Sequence, residues 1–325
     1  MTAAPYPEPR LSLHRIEEAA HSIDPVFLDT PQFLSEPLAA QLSMQLFLKV
    51  EIINPIRSFK GRGTDFLVSR LPPDCPNLVC ASAGNFGQGL AHAARKRRLP
   101  LVVFAAETAN VLKVEAMRQF GADVRLFGRD FDAAKEHART FAQETGACFI
   151  EDGCEPAISE GAGTIGFELC RRAPTFDYLL VPLGNGALLA GIGRWMKAYS
   201  PPTRIIGVCA AGAPAMALSL GERKLLSTES VTTIADGIAV RMPVAEALGD
   251  LEGLADEVLL VDDSALIEAM QLVFHHHGLV VEPAGVAGLA AAIVHNARFC
   301  GARVATPLCG GNLTPQQIRT WLTAS

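Results

Sequence analysis

The sequence predicts an α/β protein with open, mostly parallel sheets flanked by helices, and three observations lead there. Short apolar, β-rich runs alternate with segments of helical period through nearly the whole chain, which is the pattern of parallel sheets covered by helices. Three glycine-bearing loops follow such runs directly, at 82–89, 184–191 and 309–312, where loops that carry chemistry sit in this class. At 325 residues the chain exceeds one small core, so two domains of unequal size are expected.

Taken in order, Leu78-Val79-Cys80 reads as a strand, followed by a glycine-rich turn and a helix from about Phe86 to Arg97. Leu101 to Ala105 is the next strand. Asn110 caps a helix from Val111 to Phe120 that stops at Gly121, and Ala122 to Phe127 is again a strand. Phe131, Ala134, Ala138 and Phe141 recur at helical spacing before a strand from Cys148 to Glu151. This block reads as a small inserted α/β domain, 73–159, inside a discontinuous large domain, 1–72 and 160–325. Tyr178 to Leu183, Arg204 to Cys209, Glu257 to Val261 and Arg303 to Leu308 are the large domain's strands, with a helix from Ser264 to His277. The three histidines 275–277 end that helix, where capping or exposure explains them better than a metal.

Hydrophobic residues make up 49% of the chain, yet no stretch approaches the roughly 18 to 20 unbroken apolar residues that span a bilayer. Met1 to His21 carries prolines and mixed charge rather than a secretory signal, so no membrane partner and a cytoplasmic address are expected. A net charge of −6 argues against a nucleic-acid surface. The basic run 95–98 falls at a helix C-terminus, where cations complement the macrodipole. The eight cysteines form no Cys-x-x-Cys pair and no Cys/His ligand set, so they read as small core residues and structural zinc is not expected.

Lys60 follows the apolar run 46–53 and is flanked by Phe59 and two glycines, Gly61 and Gly63. Desolvation there disfavours the ammonium form and frees the amine for Schiff-base chemistry. The loop Ser82-Ala83-Gly84-Asn85-Phe86-Gly87 offers backbone N–H groups and helix-start charge to a carboxylate or phosphate. On its residues alone it is equally a tight turn with a polar cap. The loop Gly184-Asn185-Gly186-Ala187-Leu188 lacks the dinucleotide spacing. The strand after it ends in Cys209-Ala210-Ala211 rather than in a ribose-binding acid, so it reads as a phosphate cradle without a nucleotide. Cys309-Gly310-Gly311-Asn312 could meet the ring of a flat ligand, and alone it is a turn.

In this order the elements resemble the fold-type-II pyridoxal-phosphate enzymes, of tryptophan synthase β-like two-domain architecture, and within them the serine/threonine dehydratase branch. The runs 233–240 (Thr233 to Val240) and Glu282-Pro283-Ala284-Gly285 add two further landmarks of that branch. The resemblance implies pyridoxal 5'-phosphate as cofactor and Lys60 as its Schiff-base lysine and catalytic base. It also implies Phe59, Asn85, Gly184, Asn185, Gly186, Ala187, Leu188 and Cys309 around the cofactor. Ser82, Ala83, Gly84, Asn85 and Phe86 would meet a small amino-acid substrate, with Asn85 at the cofactor's ring hydroxyl and Cys309 facing the pyridine nitrogen.

A neutral Cys309 leaves that nitrogen unprotonated, which favours elimination over transamination or racemisation. Ala83 stands where related racemases carry a second serine, which also favours elimination. The implied activity is β-elimination of serine, threonine or a bulkier relative to a 2-oxo acid and ammonia. Phe86, where many dehydratases have histidine, suggests a bulkier or less polar substituent. Cys209 to Met216 contains no carboxylate, so no metal is expected there. The alternatives are a β-replacement synthase of the same fold and a non-catalytic binder of pyridoxal phosphate or amino acids. A homodimer is the default assembly, and feedback control by a following regulatory domain is not expected.

Overall fold

The computed structural model describes residues 9–172 and 175–323; part of the Met1 to His21 reading therefore lies outside the described residues. Among the described residues ten strands form two sheets: β1 (Gln32–Leu34), β2 (Gln45–Val50), β3 (Leu78–Ala81), β4 (Leu101–Ala105), β5 (Asp123–Leu126), β6 (Cys148–Ile150), β7 (Tyr178–Pro182), β8 (Arg204–Ala210), β9 (Glu257–Val261) and β10 (Arg303–Leu308). The larger sheet runs β1-β2-β10-β7-β8-β9 and the smaller β5-β4-β3-β6. All neighbours are parallel except β1 with β2. The eight strands read from sequence are present within a residue or two. β1 and β2 add to them. Leu46, Leu48, Lys49 and Val50 are all buried, as in the inner strands of a sheet covered on both faces.

The helix Val111–Gln119 is capped by the Asn110 side chain, which accepts the Leu112 N–H, and the chain turns at Gly121 with φ +91°. Arg95 and Lys96 sit in the last turn of the helix Asn85–Lys96. The three histidines close the helix Asp263–His277, where His277 Nε2 lies 2.8 Å from Ser35 Oγ. The reading of the cysteines as core residues needs one correction: Cys75 and Cys148 are joined in a disulfide. Parallel pairing of β3 with β6 brings them together, a tertiary fact that cysteine spacing does not carry. Among the described residues, no helix is long and apolar enough to cross a membrane.

Two features position the site. The first is the contact between the helices Pro156–Arg172 and Ala187–Tyr199. A Cβ on Gly191 would lie 1.9 Å from the Ser159 carbonyl oxygen, so only glycine allows this approach. Gly191→Ala is expected to cost about 1–3 kcal/mol through overpacking, read from the denaturant midpoint.

The second is a buried ion quartet. Arg62, two residues after Lys60, donates to both oxygens of Glu51 at 2.8 and 2.9 Å and of Glu168 at 2.6 and 3.0 Å. Lys49 donates to Glu168 and to the Thr30 carbonyl at 2.8 Å. All four charged side chains are buried. They tie β2, the helix Lys60–Ser69 and the helix Pro156–Arg172 together at the foot of the lysine loop.

Candidate active site

Lys60 begins the helix Lys60–Ser69, after a turn organised by Asn54. That side chain donates to the Glu51 and Ser58 carbonyls and accepts the N–H groups of Ile56 and Ser58. The turn is stitched to the loop after β10. The Phe59 N–H donates to the Cys309 carbonyl at 3.1 Å, the Ser58 hydroxyl donates to the same oxygen at 3.2 Å, and Ser58 pairs with Gly310 as an isolated bridge. Lys60 and Cys309, 249 positions apart in the chain, are thereby held against each other. Burial, with the charge of Glu282 adding to it, pushes the Cys309 thiol far above its ordinary value, so it stays neutral.

The asparagine loop opens the helix Asn85–Lys96. Ser82 Oγ accepts the N–H groups of Gly84 at 3.2 Å and Gly87 at 2.9 Å. Those two amides are spent on the loop itself, and what Ser82 retains for a ligand is its O–H. Asn85 is held from both ends: its Nδ2 donates to Glu282 Oε1 at 2.5 Å and its Oδ1 accepts Asn312 Nδ2 at 2.8 Å. Burial, with the charge of Asp236, raises the Glu282 carboxyl above the usual range, and Lys113 and Asn85 offset part of this.

Glu282 fits because residue 310 is glycine: a Cβ there would lie 2.1 Å from Glu282 Oε1 and 3.0 Å from Asn85 Nδ2. Gly310→Ala therefore breaks the Asn85–Glu282 bond. Losing a hydrogen bond to a charged group, worth about 1.5–3 kcal/mol, is expected to weaken cofactor binding by roughly ten- to a hundredfold, read by fluorescence titration.

The third loop turns at Gly186, φ +95°, into the helix Ala187–Tyr199, whose first N–H groups have no intrahelical acceptor. Phe59, Lys60, the loop from Ser82 to Phe86, the loop from Gly184 to Leu188, and Cys309 all line one cavity of about 260 Å³. The residues expected from the sequence around the cofactor and substrate are thus brought together. The Lys60 ammonium lies 5.0 Å from the Phe59 ring centroid and 5.9 Å from that of Phe86.

The partly apolar setting expected for Lys60 holds one charged partner that the sequence reading did not include. Its Nζ donates to Asp152 Oδ2 at 2.6 Å, so the ammonium has a carboxylate partner. Asp152 follows β6 in a turn that the sequence reading passed over. Lys113 was also missed. It is buried and bonded to Asp236 at 2.5 Å. Burial would lower its ammonium, but Glu282 and Asp236 outweigh this and hold it above its ordinary value. Nothing local distinguishes Asp152 or Lys113 from the chain's other charged residues. Among the described residues, no three His, Cys, Asp or Glu side chains gather as a metal site.

Residues 23–310 match the family described as pyridoxal-phosphate dependent enzyme. The chain belongs to this family, in its threonine/serine dehydratase branch. It is 37% identical over 272 residues to a biosynthetic, chloroplastic threonine dehydratase of Arabidopsis thaliana, covering 82% of this chain and 46% of that protein. With an L-threonine ammonia-lyase of Geobacter sulfurreducens it shares 34% over 286 residues, 87% of this chain and 71% of the other. The chain thus spans about half the length of the plant relative. The crystal structure of a threonine deaminase from T.th. superposes with a TM-score of 0.88 at 33% identity, covering 93% of this chain and 99% of that one.

The cavity of this pyridoxal-phosphate enzyme fits the group its family is named for. A cradle at Gly184 would be filled by a Cβ, which would lie 3.1 Å from Gly237 O and Ile238 Cα. Helix-start amides suited to a phosphate lie beside it, the Lys60 amine and a neutral thiol face the same space, and the rings of Phe59, Phe86 and Phe131 line it.

Proposed function

We propose that the chain catalyses pyridoxal-phosphate-dependent β-elimination of a 3-hydroxy-2-amino acid of the serine or threonine type, releasing a 2-oxo acid and ammonia. The observation that carries this reading is the convergence of Lys60, the asparagine loop, the glycine loop and neutral Cys309 on one cavity. When bound, pyridoxal phosphate supplies the electron sink for the pair left at Cα. The chain's residues do the rest. The amides at the start of the helix Ala187–Tyr199 hold the phosphate, and Asn85, fixed by Glu282 and Asn312, meets the ring. The Ser82 hydroxyl and the loop around Gly84 take the substrate carboxylate. Lys60, released from its covalent role, takes the α-proton at its Nζ. Phe59 and Phe86 exclude water from that exchange.

The test is release of ammonia and 2-oxo acid from L-serine, L-threonine and larger 3-hydroxy amino acids with no added nucleophile. Product only in the presence of a second nucleophile would favour β-replacement, and a spectral change without product would favour a binder. A homodimer, a cytoplasmic address and an inserted small domain over 73–159 belong to the same reading. Light scattering of the purified protein reads the first of these.

A further inference from the structure

Asp152 has no part in the mechanism above, yet its carboxylate stands inside the cavity beside Lys60. Oδ2 receives the lysine, while Oδ1 is buried with no hydrogen-bond partner among the described residues. The carboxylate is held by its turn: Gly153 has φ +93°, and a Cβ there would lie 3.3 Å from the Asn185 carbonyl oxygen. Asp152 also lines a second cavity of about 400 Å³ that continues from the first. There Asp130, Asp132, Glu151 and Glu229 outnumber Lys135 and Arg241. The space next to Lys60 is therefore lined by a carboxylate in acidic surroundings.

A carboxylate paired with a lysine accepts hydrogen bonds and donates none, so it cannot protonate a departing hydroxyl. It suits a substituent that already carries its proton. Resting on the β-elimination reading, we propose that Asp152 receives the β-ammonium group of the substrate, which extends the substrate range to 2,3-diamino acids. Lys60 takes the α-proton, the Cα electron pair forms the Cα–Cβ double bond, and the Cβ–N bond breaks with its pair leaving on nitrogen as ammonia. The enamine then becomes an imine, and water releases the second ammonia. One diamino acid and one water give one 2-oxo acid and two ammonia.

Holoenzyme kinetics with L-2,3-diaminopropionate and L-serine test this, with 2-oxo acid and ammonia read separately. Two ammonia per 2-oxo acid are expected from the diamino acid and one from serine. Truncating one side of a buried charge contact costs about 2–5 kcal/mol, so Asp152→Asn should lower the ratio of kcat/KM values, diamino acid over serine, by at least roughly twentyfold. An equal fall for both would make Asp152 a positioning residue for Lys60 and overturn the proposal.

A binding readout stands apart from turnover. By calorimetry, the cofactor-loaded Lys60→Ala protein should bind the diamino acid at least roughly tenfold more tightly than serine, and Lys60→Ala/Asp152→Asn should lose that advantage. Equal affinities in Lys60→Ala would also overturn it. A wild type that consumes serine but not the diamino acid sinks this proposal alone. One that releases 2-oxo acid from neither sinks the β-elimination reading, and this proposal with it.

Discussion

Lys60→Ala is expected to release 2-oxo acid at least roughly 10⁴-fold more slowly than the wild type, because one substitution removes both the covalent anchor and the α-proton base. The visible absorbance of lysine-bound cofactor should vanish as well. The glycine loop and Asn85 remain, so cofactor should still bind, and that separates a chemical lesion from an empty site. Lys60→Arg sharpens the result: a guanidinium can keep the contact with Asp152, yet it stays protonated and forms no such bond. The arginine variant should therefore be as inactive as the alanine variant. Turnover above roughly 1% of wild type in the alanine variant would be more than a missing base allows and would remove Lys60 from the mechanism.

The second large effect lies in the ion quartet. Glu168→Ala leaves Lys49 and much of Arg62 as uncompensated buried charge, which costs about 3–5 kcal/mol, read from the denaturant midpoint of the purified protein. The same carboxylate sets an acid limit. Burial alone would raise its pKa, but Arg62 and Lys49 outweigh this and hold it down to about 2, against 4.5 for the free group. A carboxyl depressed on folding contributes stability that is complete above its unfolded pKa and is lost as pH falls toward the folded one. The wild type should therefore weaken between about pH 4.5 and 2, and Glu168→Gln should show a flatter profile there. A wild type and Glu168→Gln with parallel pH profiles would count against this origin.

What the sequence disclosed and what it hid follow one physical line. The three loops were legible because their function is written locally: glycines for close approach, a lysine or asparagine at a fixed offset, a strand before and a helix after. Asp152, Lys113 and the quartet were not, because each is a single charge whose meaning comes from a partner far away in the chain. Lys49 and Glu168, 119 positions apart, carry no local sign of each other, and only the fold buries them together. β2 was noted only as the apolar run before Lys60, and its place in the larger sheet comes from pairing with β10 far along the chain. The Cys75–Cys148 link was hidden because it depends on which strands are neighbours.

The placement of β10 between β2 and β7 bears on how the enzyme is made. During synthesis the larger sheet waits with its central slot open, since the strand that fills it emerges from the ribosome after all nine others. Lys60 leaves the ribosome early, but the Cys309 loop that locks its turn arrives some 250 residues later. Such late, non-local closure is slow and leaves two sheet edges exposed in the nascent chain. No activity can precede it, and chaperone demand should peak in the interval before residue 308 is free.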